Sequence, residues 1–231
     1  TDSGFVEGGL VVSPVMDSVQ SYAGKYIKTE TGKPSLLSGR AMESKVNLNG
    51  TTTIMDDYKL TWAGNVGSIG GKNFSNTSFF DARAALTKDF NVKGYSWLAL
   101  GPELRLAQYT QDQNRWTAGY GGFYSPLSEM GAGLRYSVMT EEGGRMLFKS
   151  TGFAGMMRKE FYSSSSSSAV VEVDATAAFL IGPHLVAKGG LSFKNSAGYN
   201  ELGVTAGLEF TFDPRTKLFA NDLGNTLKIL K

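Results

Sequence analysis

Apolar and polar residues alternate along most of the chain with a period of two. From Glu201 onward, Leu202, Val204, Ala206, Leu208, Phe210 and Phe212 fall on one side, with Glu201, Gly203, Thr205, Gly207, Glu209 and Thr211 on the other. Successive side chains of a strand point to opposite faces, so this stretch predicts a strand with one hydrocarbon face and one polar or very small face. The preceding segment repeats the scheme, with Leu185, Ala187, Leu191 and Phe193 opposing Lys188, Ser192 and Lys194. Asn195-Ser196-Ala197-Gly198 between the two reads as a hairpin turn. Upstream, Val171, Val173, Ala175, Ala177 and Phe179 oppose Glu172, Asp174 and Thr176, and Gly182-Pro183 supplies a tight turn into His184. Leu98, Leu100, Leu104 and Leu106 oppose Trp97, Glu103, Arg105 and Tyr109 in the same way, as Phe80, Ala82, Ala84 and Leu86 oppose Asp81, Arg83, Thr87 and Asp89.

Strands are predicted at approximately 4–13, 36–49, 56–69, 77–90, 94–109, 115–124, 128–141, 145–159, 168–182, 184–195 and 199–212. Many exceed the ~5–6 residues of typical soluble strands, and several exceed the ~9–11 needed to cross a bilayer at a tilt. That length favours an antiparallel transmembrane β-barrel of roughly 10–12 strands over a soluble sandwich, whose strands are shorter. The run Ser163 to Ser168 has no apolar group to offset its ordering entropy and is expected to be an exposed, mobile loop. After Phe212 the pattern changes, through Asp213-Pro214-Arg215 to Leu218, Phe219, Leu223, Leu227 and Ile229. The expected organisation is therefore an all-β barrel over 1–212 and a periplasmic tail, partly helical, over 213–231.

Composition narrows the function. The 231 residues include 29 glycines and no cysteine, with 23 basic against 21 acidic side chains and a formal net charge of +2. A nucleic-acid-binding protein would be far more basic, and disulfides, thiolate metal sites and cysteine nucleophiles are excluded. No apolar run reaches the ~18 residues of a transmembrane helix, and any secretory leader is expected to have been removed. The only histidine, His184, lies in a turn and reads as a polar tip rather than a catalytic base. Glu172 with Asp174 and Glu141 with Glu142 are carboxylate pairs, but charges of both signs are expected in a wet lumen. The glycine clusters lack the lysine and hydroxyl of a phosphate-binding loop. No catalytic residue, metal or cofactor is expected.

What remains is the polar face. Parity places Lys59, Asp81, Arg83, Trp97, Glu103, Arg105, Tyr109, Arg135, Glu172, Asp174, Lys188 and Glu209 on it, joined by Lys149 and Glu201. Such a lining is hydrated, mixed in sign and interspersed with rings. Rings offer apolar stacking faces and the charges give many exchangeable hydrogen bonds, which suits passage of a hydroxyl-rich polymer. A general diffusion porin, a secretion channel, an outer-membrane enzyme using His184 and a plugged structural barrel are the alternatives.

Three blocks carry a resemblance: Asp17-Ser18-Val19-Gln20-Ser21-Tyr22-Ala23-Gly24, Gly119-Tyr120-Gly121-Gly122-Phe123-Tyr124-Ser125-Pro126, and the closing stretch from Ile181 to Phe212. In these the chain resembles the C-terminal outer-membrane barrel of the bacterial cellulose synthase subunit that exports cellulose. The resemblance implies a Gram-negative outer-membrane pore that contacts lipid and conducts a polysaccharide without chemistry. It further implies a periplasmic helical-repeat scaffold and an inner-membrane synthase as partners. At about 19 residues per strand and connection the chain supplies about 12 strands, fewer than the family barrel, which implies a partial or shortened version. With the tail periplasmic, Ser163–Ser168 and the block ending at Pro126 fall at the outer mouth, where Tyr120, Phe123 and Tyr124 are candidates to contact the emerging polymer.

Overall fold

The computed structural model describes residues 5–14, 27–28, 34–35, 42–71, 74–112, 125–196 and 199–223. Among these, ten long strands form one antiparallel sheet in which each pairs with the next along the chain. They are β1 (Phe5–Pro14), β4 (Met42–Met55), β5 (Tyr58–Gly71), β6 (Phe74–Asp89), β7 (Tyr95–Tyr109), β8 (Ser128–Thr140), β9 (Met146–Phe161), β10 (Ser164–Gly182), β11 (Leu185–Ser196) and β12 (Tyr199–Phe210). The short strands β2 (Ile27–Lys28) and β3 (Pro34–Ser35) pair only with each other. β1 and β12 end the order, so the described sheet is an open partial barrel.

Register follows the alternation. Pairs such as Lys188 with Gly207 and Leu191 with Val204 keep the polar sets of neighbouring strands on one face and the apolar sets on the other. A one-residue slip would transpose both, which is why the period specifies the pairing. The sheet curls toward the polar face. The Arg105 guanidinium on β7 lies 2.6 Å from the Glu172 carboxylate on β10, three strands away, where flat backbones would stand about 14 Å apart. Burial is consequently inverted relative to a water-soluble protein: Leu10, Leu104 and Leu208 on the convex face are 75%, 61% and 71% exposed, while Glu103 on the concave face is 1% exposed.

Three expectations meet a different outcome or fall outside the described residues. The serine run is not a loop: Ser164 to Ser168 pair with Phe161 to Met157, and the turn is confined to Tyr162 and Ser163. Ladder hydrogen bonds come from the backbone, so exposed serines can occupy a strand once β9 continues beside them. The strand expected at 115–124 lies outside the described residues; in the described sheet β7 pairs directly with β8. Finally, the described part of the tail, 213–223, holds one short 3-10 turn (Ala220–Asp222) and folds back on the connections at its own end of the sheet.

One interruption has a clear cause. The β6–β7 ladder passes from Ala85–Glu103 to Lys88–Leu100 without the two intervening pairs, opposite Gly101 and Pro102. Proline has no N–H to donate. At Gly101 the Leu86 carbonyl approaches so closely that no Cβ fits.

Candidate functional site

All twelve candidate lining residues share the concave face, because each stands at the parity that the register assigns to it. They fall into connected groups. Glu103, at the middle of β7, receives Arg105 Nε at 2.5 Å and Arg135 Nη1 at 2.9 Å, one on each carboxylate oxygen. Arg105 reaches on to Glu172 at 2.6 Å, and Glu172 takes Lys194 at 3.2 Å. The chain of charges thus runs from β8 through β7 to β10 and β11, alternating in sign. Near the end of the sheet where the tail lies, Lys188 pairs with Glu209 at 2.5 Å. Asp81 accepts a hydrogen bond from Asn65 Nδ2 at 2.6 Å, and the Lys59 carbonyl accepts one from Thr87 Oγ1 at 3.5 Å. Arg83 and Asp174 line the cavities.

The two ring candidates are engaged with the wall. Trp97 donates its indole N–H to Ser137 Oγ at 2.9 Å and packs against an apolar cluster. Tyr109 stacks on Phe79 with ring centroids 5.7 Å apart. Tyr120, Phe123 and Tyr124 lie outside the described residues. Their neighbours Ser125 and Pro126 are fully buried, and Leu127 bridges the strand ends, its carbonyl accepting from Tyr109 N–H and its N–H donating to the Glu160 carbonyl.

Phe153 was not among the candidates, although its parity with Lys149 and Thr151 places it on the same face. Its ring lies over the backbone of Gly133 and Gly155, where an added Cβ would meet it at 2.8 and 2.7 Å, and Arg105 stacks on it with the guanidinium carbon 3.8 Å from the centroid. With Met157 and Val170 it forms a small buried apolar patch on the inner wall. The glycines let the ring lie flat, and the cation over it joins the patch to the ionic chain.

Two cavities open on this face. One of about 750 Å³ is bounded by Arg135, Lys149, Glu172, Asp174 and Lys194, with Ala220 and Leu223 of the tail also in its wall. The other, of about 380 Å³, is bounded by Lys45, Asn47, Arg83, Glu103 and Arg135. Arg135 borders both. Among the described residues no cluster of His, Asp or Glu is arranged to hold a metal ion. His184 Nδ1 sits 2.9 Å from the Thr211 carbonyl and its ring stacks on Phe210 at 5.8 Å, so its contacts are those of a turn residue. The arrangement offers paired charges, hydroxyls and open space, which can exchange hydrogen bonds with a neutral polar solute.

A family model described as the C-terminus of cellulose synthase operon protein C matches residues 8–152. No curated protein matches the chain.

Proposed function

The chain belongs to the family of the C-terminus of cellulose synthase operon protein C, and from that premise we propose that it is an outer-membrane pore for export of cellulose or a closely related polysaccharide. The membrane part of this reading rests on the inverted burial. A sheet whose outer face carries Val6, Leu10, Val204 and Leu208, each at least 69% exposed, needs lipid to cover it. With no apolar helix of spanning length among the described residues, crossing would fall to the strands.

The polymer part rests on family membership together with the compensated inner charge. Where Glu103 and Glu172 hold their arginines and lysine in pairs, the wall presents little net field to attract or repel ions, yet keeps many hydrogen-bonding groups for sugar hydroxyls. The twelve concave-face residues are the proposed path. A scaffold of helical repeats and an inner-membrane synthase are the proposed partners. In planar bilayers the protein is expected to conduct ions, and cello-oligosaccharides are expected to reduce that current more than dextran fragments of equal mass. Equal reduction by both would favour a general diffusion porin, and retention of the protein in the aqueous phase on detergent partitioning would end the membrane reading.

A further inference from the structure

Residues 213–223 do more than leave the last strand. The segment turns back under the sheet, where the Arg215 N–H donates to the Pro183 carbonyl at 2.6 Å and the Leu218 N–H to the Gly144 carbonyl at 3.0 Å. In return the Gly143 N–H donates to the Leu218 carbonyl at 2.9 Å, and Ala220 N–H reaches Glu142 Oε1 at 2.9 Å. Every one of these anchors is a turn residue; none belongs to a strand ladder. Two side chains enter the interior. Leu218 and Leu223 are buried in a socket formed by Met139, Leu147, Ala178, Leu180 and Val186, with Trp97 beside it. These socket residues are concave-face positions near the tail-side ends of β8, β9, β10 and β11, where the polar lining gives way to hydrocarbon.

The segment also carries its own shape. Asp222, buried, takes the Arg215 guanidinium on one oxygen and the Phe219 N–H on the other at 2.8 Å, closing a loop between them. Between the two leucines, Phe219, Ala220 and Asn221 are exposed. Ala220 and Leu223 form part of the wall of the larger cavity, so the segment stands across that cavity's lower end.

We propose that residues 213–223 form a displaceable plug over the tail-side mouth of the lumen. The socket is built to be occupied, since exposing five inward apolar side chains and Trp97 to a wet passage is unfavourable. The hold is light: among the described residues, two apolar side chains and four hydrogen bonds to turns secure it. A preformed loop with few anchors can leave and return as a unit, unlike a strand. The inference goes beyond export of any particular polymer and requires only that the protein is a pore.

The test uses the full chain in planar bilayers. A Leu218→Asp/Leu223→Asp variant, checked for folding by heat-modifiable gel migration, is expected to raise mean conductance roughly twofold or more by opening the constricted end. A synthetic peptide covering wild-type residues 213–223 should return that variant to the parent level when added to one side of the membrane only. Glu142→Ala, an exposed substitution that removes the Ala220 anchor and leaves the socket intact, should lengthen open dwell times in an otherwise unchanged pore. Parent-like conductance in the folded double variant, parent-like dwell times in Glu142→Ala, or peptide closure from both sides would each overturn the plug. A parent protein with no conductance under any condition would overturn the pore reading itself.

Discussion

Replacing Glu103 by glutamine probes the ionic chain at its most buried member. Its side chain is 0% exposed, while those of Arg105 and Arg135 are 18% and 23% exposed. Glutamine preserves volume and one accepting oxygen but turns an N–H pair toward a guanidinium that can only donate. One charge-assisted hydrogen bond is lost, about 1.5–3 kcal/mol, and two cations are left facing each other. Breaking a buried pair by removing one partner typically costs about 3–5 kcal/mol. Because Arg105 keeps Glu172 and both arginines keep some water, the lower end, about 3 kcal/mol, is expected here. Arg158→Gln is the matched control: its pair with Glu160 has side-chain exposures of 63% and 46%, and such exposed pairs contribute about 0–1 kcal/mol. Urea unfolding of each variant in detergent micelles, followed by tryptophan fluorescence, gives the comparison. A midpoint shift for Glu103→Gln no larger than that for Arg158→Gln would refute the view that the chain of charges holds the wall together.

Arginine at Val204 or Leu208 should cost about 2–4 kcal/mol if these positions face the bilayer midplane, whereas Thr205→Arg should fold to near-normal yield; equal losses would show the two faces to be misassigned. Gly133→Ala is expected to destabilise by about 1–3 kcal/mol, since its Cβ would press on Phe153 Cε2 at 2.8 Å and Gly155 Cα at 2.6 Å. Gly207, with nothing within 4 Å, should accept alanine at no cost, so a thermal-melt ranking in the opposite order would contradict the packing of Phe153 on the wall. Cysteine at Ser165 should react with a membrane-impermeant maleimide on intact cells, and labelling only after lysis would invert the proposed orientation.

The two faces were legible in the sequence because strand geometry maps parity directly onto side: Leu202 and Glu201 could not share one. Partnership was not legible. Arg105 and Glu172 are 67 positions apart, and which cation meets which carboxylate depends on curl and stagger, which parity does not encode. Phe153 illustrates the same limit, since its inward position follows from Lys149 and Thr151, yet the glycines beneath it lie on one neighbouring strand and on its own, and only register brings Gly133 under the ring. The serine run misled because composition reports on side-chain burial, whereas Ser164 to Ser168 are held by backbone pairing to β9. Leu218 and Leu223 were visible as a change of character after Phe212, but a tail's return to its own barrel leaves no periodic signature in so short a segment.

The two ends of the sheet are finished differently, and the difference bears on direction. At one end all the connections are short, at 56–57, 90–94, 141–145 and 183–184; at the other, three two-residue connections, 72–73, 162–163 and 197–198, accompany the two long ones, 15–41 and 110–127. Outer-membrane barrels keep short turns toward the periplasm and long loops outside, and in the proposed orientation the tail and the socket that takes Leu218 and Leu223 would lie at the periplasmic end. A polymer delivered from a periplasmic scaffold would therefore meet the apolar socket and its plug first. Beyond it stands the alternating chain from Arg135 to Lys194, and last the outer end where Ser125 and Pro126 are buried. Ordered this way, the hydrocarbon constriction lies before the hydrated section, so the step that a closed pore must control is entry.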